Sequence, residues 1–200
     1  MSGVGQGRRR SPAPEPPACG AAAVDPEPDG EDVARAILLR LLTGSPRTRA
    51  QLAAALAKRD VPDDVATRVL DRFTEVGLVD DAAYADMLVA SRHAERGLSR
   101  RALAVELRRR GIDDAIAAQA LTQVGDESEV AAARRLVERK LASTHGLDAA
   151  TRARRTLAAL GRRGYAPALV ARLVRETLAR EGSPDDLADG ADIDDLHSYE

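Results

Sequence analysis

The chain of 200 residues is 44% hydrophobic and 31% charged, with a formal net charge of −2, one cysteine, no tryptophan and only 2% aromatic residues. Its longest apolar stretches, Ala36 to Leu39 and Leu52 to Ala57, fall far short of the about 20 residues that cross a bilayer, which argues against a membrane protein. The single cysteine, Cys19, excludes an intramolecular disulfide and fits a reducing compartment, so a cytoplasmic protein is expected.

Residues 1–32 hold six of the ten prolines, together with Gly3, Gly5 and Gly7 and almost no periodic apolar residues. This leader is expected to be disordered. Prolines follow Arg8, Arg9 and Arg10 where a signal peptide needs an apolar run. From Val33 onward apolar residues recur three and four apart, as in Val33, Ile37 and Leu41, Leu52 and Leu56, Leu103 and Leu107, and Leu169 and Leu173. No segment alternates like a strand, and a core of Leu, Val, Ile and Ala suits packed helices. Helix starts are read at Ser45 with Pro46 behind it, Asp63, Asp81, Ser99, Asp113, Asp126 with Glu129 three later, and Asp148. Stops are read at Gly44, Gly77, Gly97, Gly111, Gly125, Gly146 and Gly164. About nine helices result. Beyond them, residues 180–200 contain Asp185, Asp186, Asp189, Asp192, Asp194 and Asp195, and an acidic disordered tail is expected.

The helical region repeats itself. A shift of 51 residues places Leu52 on Leu103, Leu56 on Leu107, Val61 on Ile112 and Leu70 on Leu121. A further shift of 53 carries Leu107, Gly111, Ile112 and Leu121 onto Leu160, Gly164, Tyr165 and Val174. The second helix of each repeat ends in a charged run, a turn residue and an apolar residue: Lys58-Arg59-Asp60-Val61, Arg109-Arg110-Gly111-Ile112 and Arg162-Arg163-Gly164-Tyr165. The expected fold is all-α, with three tandem three-helix repeats at residues 33–79, 80–125 and 126–179 forming an elongated, curved array. Such arrays present extended surfaces that suit partner binding better than pocket chemistry.

Signals for catalysis are weak. His93, His145 and His197 are far apart, and the sequence has no CxxC, HExxH or acidic calcium loop. Gly3-Val4-Gly5-Gln6-Gly7 has neither a strand before it nor Gly-Lys-Ser/Thr after it, so it is not a phosphate cradle. The doublets Asp63-Asp64, Asp80-Asp81 and Asp113-Asp114 sit at helix starts, where aspartates cap amides. No enzyme activity, metal or cofactor is expected.

Charge is the informative feature. Residues 1–32 sum to −3, residues 33–179 to +8 with 26 basic against 18 acidic side chains, and residues 180–200 to −7. A basic middle suits nucleic acid or an acidic partner. Arg92, Arg96, Arg100, Arg101, Arg108, Arg109 and Arg110 face only Glu95 and Glu106. The third repeat adds Arg134, Arg135, Arg139, Lys140, Arg152, Arg154, Arg155, Arg162 and Arg163. Their guanidinium forks suit phosphates or carboxylates. Tyr84 and Tyr165 fall at core positions, which leaves no aromatic platform for stacking bases.

The stretch Gly77-Leu78-Val79-Asp80-Asp81-Ala82-Ala83-Tyr84-Ala85 runs on through Arg92, Gly97, Ser99-Arg100-Arg101, Leu103 and Leu107 to Arg110-Gly111-Ile112. It resembles the core motif of the RecX regulatory proteins of bacteria: an acidic helix start with an aromatic, a basic glycine turn, and a helix ending in a basic residue, glycine and isoleucine. The resemblance extends over about residues 33–179. It implies a non-enzymatic protein that binds the RecA recombinase, especially its filament on single-stranded DNA, and restrains its recombinase, ATPase and coprotease activities. Recombination and the SOS response would be modulated in consequence. On that reading the cations of the second and third repeats, with Arg152 set aside, supply the contact, and the protein is a monomer, with direct DNA contact left open. The rival reading comes from residues 48–79, which also look like the helix-turn-helix of a duplex-binding transcription regulator. A structural scaffold is the remaining alternative.

Overall fold

The computed structural model describes residues 29–181; residues 1–28 of the proline-rich leader and residues 182–200 of the acidic tail lie outside the described residues, while residues 30–32, expected in the disordered leader, form the first turn of a helix behind Asp29. Among the described residues there are nine α-helices and no strand: α1 (Gly30–Gly44), α2 (Arg49–Ala57), α3 (Asp63–Glu75), α4 (Asp81–Arg96), α5 (Arg100–Arg109), α6 (Asp114–Leu121), α7 (Asp126–Ala142), α8 (Ala149–Gly161) and α9 (Pro167–Arg180). The expected all-α architecture is present. None of these helices is long and apolar enough to cross a membrane.

Local chemistry sets the helix ends. Asp80, Ser99, Asp113 and Asp148 each accept an amide hydrogen of the first turn. Four expected starts shift, the one read at Asp81 by a single residue, to Asp80. Pro46 favours extended backbone at Ser45, so α2 starts later, behind Thr48, whose side chain and Gln51 form a reciprocal capping box. Asp63 is the first helical residue behind Pro62. Gly125, read as a stop, instead occupies the N-cap of α7, which leaves Asp126 and Glu129 free for another role.

The nine helices form three units of three, each around its own core. Leu38, Leu52, Leu56, Val69 and Phe73 belong to the first, Val89, Leu103, Leu107 and Ile112 to the second, and Leu141, Leu160, Tyr165, Leu173 and Leu178 to the third. Every pair of helices in extensive contact lies within one unit. Burial of each such side chain contributes roughly 1.5–3 kcal/mol, so each unit is held mainly by its own apolar residues.

The junctions between units are narrow and alike. Thr48 Oγ1 at the start of α2 donates to the Arg110 carbonyl at 2.7 Å, and the Ser99 amide at the start of α5 donates to the Arg163 carbonyl at 3.1 Å. In each case the second helix of one unit begins against the arginine-glycine turn of the next. A carboxylate from that next unit then takes the following amide: Arg49 N donates to Asp81 at 2.8 Å, and Arg100 N to Glu129 at 2.9 Å.

Candidate functional site

The arginines of the second unit divide by their partners. Arg92 and Arg110 both reach the Glu106 carboxylate, at 3.3 and 2.7 Å, with all three side chains about three-quarters buried. Arg110 also donates to Tyr84 Oη at 2.6 Å and lies 5.9 Å from the centroid of its ring, tying α4 to the end of α5. Arg100 bonds Asp126 and, at 3.1 Å, Glu129, and hydrogen bonding to Asp126 holds its guanidinium even more firmly charged than usual. This pairing is the role that Asp126 and Glu129 play in place of a capping box. Arg108 meets Asp114 at 3.2 Å, and Arg134 meets Glu176 at 3.0 Å.

Ten of the fifteen cations expected to form the interface make no ion pair among the described residues: Arg96, Arg101, Arg109, Arg135, Arg139, Lys140, Arg154, Arg155, Arg162 and Arg163. Four of them converge. Arg96 at the end of α4, Arg139 and Lys140 near the end of α7, and Arg163 after α8 line a cleft of about 470 Å³ between the second and third units. Leu98, Leu136 and Ala159 contribute apolar surface, and Glu95 is the only carboxylate in the lining among the described residues. Arg163 is oriented by its Nε, which donates to the Arg96 carbonyl at 3.1 Å. Arg101, Arg109, Arg154, Arg155 and Arg162 are exposed outside the cleft, and Arg135 is exposed on α7 beside Arg134.

The cleft follows from chain geometry. Gly97 ends α4 in the left-handed conformation, with Leu136 of α7 packed so closely that an added Cβ would stand 2.8 Å from Leu136 Cδ1. This contact brings the end of α4 against the C-terminal half of α7, one turn before Arg139 and Lys140, and a helix C-terminus favours cations because its carbonyls carry partial negative charge. The two core tyrosines behave as expected from their positions: Tyr84 is 9% and Tyr165 3% exposed. Burial, reinforced by the charge of Glu129, pushes the Tyr165 hydroxyl up to about 12, so it stays neutral.

Arg152 is a different case. It is 4% exposed, bonded through Nη2 to the Leu141 carbonyl at 3.1 Å and to Glu181 at 2.7 Å. Helical period alone gives no sign of this burial.

Three family models tile the described residues: RecX, first three-helix domain, at residues 34–73, RecX, second three-helix domain, at 80–121, and RecX, third three-helix domain, at 126–174. The chain belongs to the RecX family. Regulatory protein RecX of Thermobifida fusca is 56% identical over 149 residues, covering 74% of this chain and 80% of the relative. The RecX protein of Streptomyces coelicolor is 51% identical over 158 residues, with 79% and 84% covered, and that of Mycobacterium tuberculosis 44% over 155, with 76% and 89% covered. The crystal structure of RecX from Lactobacillus salivarius shares the fold, with a TM-score of 0.66 at 20% identity over 74% of this chain and 96% of that one.

Proposed function

We propose that this RecX family member is a non-enzymatic regulator that binds RecA and its filament on single-stranded DNA and restrains recombinase, ATPase and coprotease activities. The observation that carries the reading is the set of ten cations without ion pairs among the described residues, spread over the second and third units with four gathered in one cleft. A polyanionic filament offers such a surface many simultaneous contacts, each displacing counterions. Membership of the RecX family supports RecA as the partner, and the tandem units suit a surface that spans several filament subunits.

The duplex-reading alternative is weaker. The helix that would enter a major groove, α3, carries Asp63, Asp64, Asp71 and Glu75 against two arginines. Both are already paired, Arg68 with Glu31 and Asp64 at 2.8 Å each, and Arg72 with Glu75 at 3.3 Å. A base-reading helix needs free donors.

The test is RecA ATP hydrolysis and strand exchange on single-stranded DNA, titrated with the protein. Inhibition is expected well below one molecule per RecA monomer. Reversing Arg101, Arg109, Arg139 and Arg155 to Glu should weaken binding at least about tenfold and flatten its salt dependence. Unchanged inhibition by that variant, or no inhibition alongside tight binding to one duplex sequence, refutes the reading.

A further inference from the structure

The cleft between the second and third units holds four cations against one carboxylate, with apolar surface from Leu98, Leu136 and Ala159 between them. A ligand that fits it carries several negative charges and apolar side chains in the same short span. Residues 182–200 of this chain have that composition. They contain seven acidic residues and no Lys or Arg, with Leu187, Ile193 and Leu196 set among Asp185, Asp186, Asp189, Asp192, Asp194 and Asp195. We propose that this segment docks in the cleft of its own chain, placing carboxylates on Arg96, Arg139, Lys140 and Arg163 and apolar side chains on the surface between them.

Where the segment begins supports this occupant. Glu181 is held by Arg152, which also bonds the Leu141 carbonyl. Leu141 lies between Lys140 and Ser143, both of which line the cleft. The segment therefore leaves the folded region from the third unit, and its 19 residues, which reach up to about 60 Å when extended, are long enough to return to the cleft. A short tether also gives an effective concentration on the order of millimolar, so modest contacts suffice. Opposite charges without mutual burial make the contact dependent on salt.

The docking is a property of the chain alone. Its consequence, competition with an external polyanion, rests on the proposed function. The experiment uses the full chain with a photo-crosslinking amino acid in place of Ile193, without RecA or DNA. Crosslinks mapped by mass spectrometry are expected in residues 95–98, 136–143 and 159–163. Their yield should fall at least about fivefold in about 0.5 M salt, on Arg139→Glu with Lys140→Glu, or when the six aspartates of the segment become asparagine. Crosslinks scattered over the three units, joined between isotopically distinct copies, or indifferent to all three changes overturn the proposal. Ending the chain after Glu181 keeps the Arg152 pair intact and should tighten binding to a RecA filament assembled on a single-stranded oligonucleotide at low salt about threefold or more. If crosslinking holds and filament binding is absent, docking stands and the proposed function fails; if filament binding is present and crosslinking fails, the proposed function stands and docking fails.

Discussion

The turn after the second helix of each unit needs one residue in the left-handed region: Asp60 at φ 58°, Gly111 at 75° and Gly164 at 84°. The requirement for glycine differs among them. A Cβ on Gly111 would stand 2.3 Å from Ala50 Cβ, and one on Gly164 2.5 Å from Ser99 Oγ, because each turn is pressed against the preceding unit. No unit precedes the first among the described residues, so at Asp60 only backbone strain counts, and aspartate tolerates that conformation better than most residues. This explains why the first repeat departs from the pattern of the others. Gly111→Ala is expected to cost about 2–4 kcal/mol, left-handed strain plus overpacking, whereas Asp60→Ala costs about 1 kcal/mol or less. Urea denaturation measures both. Adding Ala50→Gly to Gly111→Ala should recover the steric part; equal losses at the two turns, or no recovery, would remove the close approach as the reason for glycine.

The second helices of the first and second units are capped from outside as well as from within. Asp81 and Glu129 stand in the first turns of α4 and α7 and accept from the Arg49 and Arg100 amides of the preceding unit. A carboxylate at a helix N-terminus meets both unpaired amides and the positive end of the dipole. Glu129→Gln keeps the shape, loses the charge and releases Arg100 from one of its two partners, at a cost of about 1 kcal/mol. Hydrogen exchange should quicken at the Ser99 and Arg100 amides while the interior of α8 and α9 stays protected; uniform quickening across the third unit would mean that Glu129 supports the core instead. The helices and their repetition are legible in sequence because apolar period and turn residues are local signals. The role of Glu129 is not, because an acid three residues into a helix reads the same whether it serves its own N-cap or a neighbouring unit. Spacing likewise reveals that cations cluster, but Glu106, which draws Arg92 and Arg110 together, could be read only as a local subtraction of charge.

The three units also differ in their C-terminal neighbours, and this bears on where the array stops. Under the register that superimposes the turns, Thr48 corresponds to Ser99 and Ser99 to Arg152. Thr48 and Ser99 are buried because the next unit covers them, at 0% and 1% exposure. No described unit comes after the third. There α8 starts one turn earlier, at Ala149, and Arg152 occupies the equivalent place, sealed by the Leu141 carbonyl and by Glu181 at the end of α9. The face that would receive a further unit is thus closed by the unit's own last helix, the device by which repeat arrays finish. A buried guanidinium makes that seal conditional, since removing one member of a buried pair leaves an uncompensated charge. Glu181→Ala should therefore destabilise the third unit by about 2–3 kcal/mol, less than the about 3–5 kcal/mol of a fully buried pair because the Glu181 side chain is 31% exposed. Arg152→Leu with Glu181→Ala should restore most of the loss, as an apolar side chain fills the site without a charge to satisfy. Because the cores are separate, hydrogen exchange should register the single variant in α7 to α9 and leave α1 to α3 unchanged. A loss shared by all three units, or a double variant no better than the single one, would show that the buried pair does not act as the terminal seal.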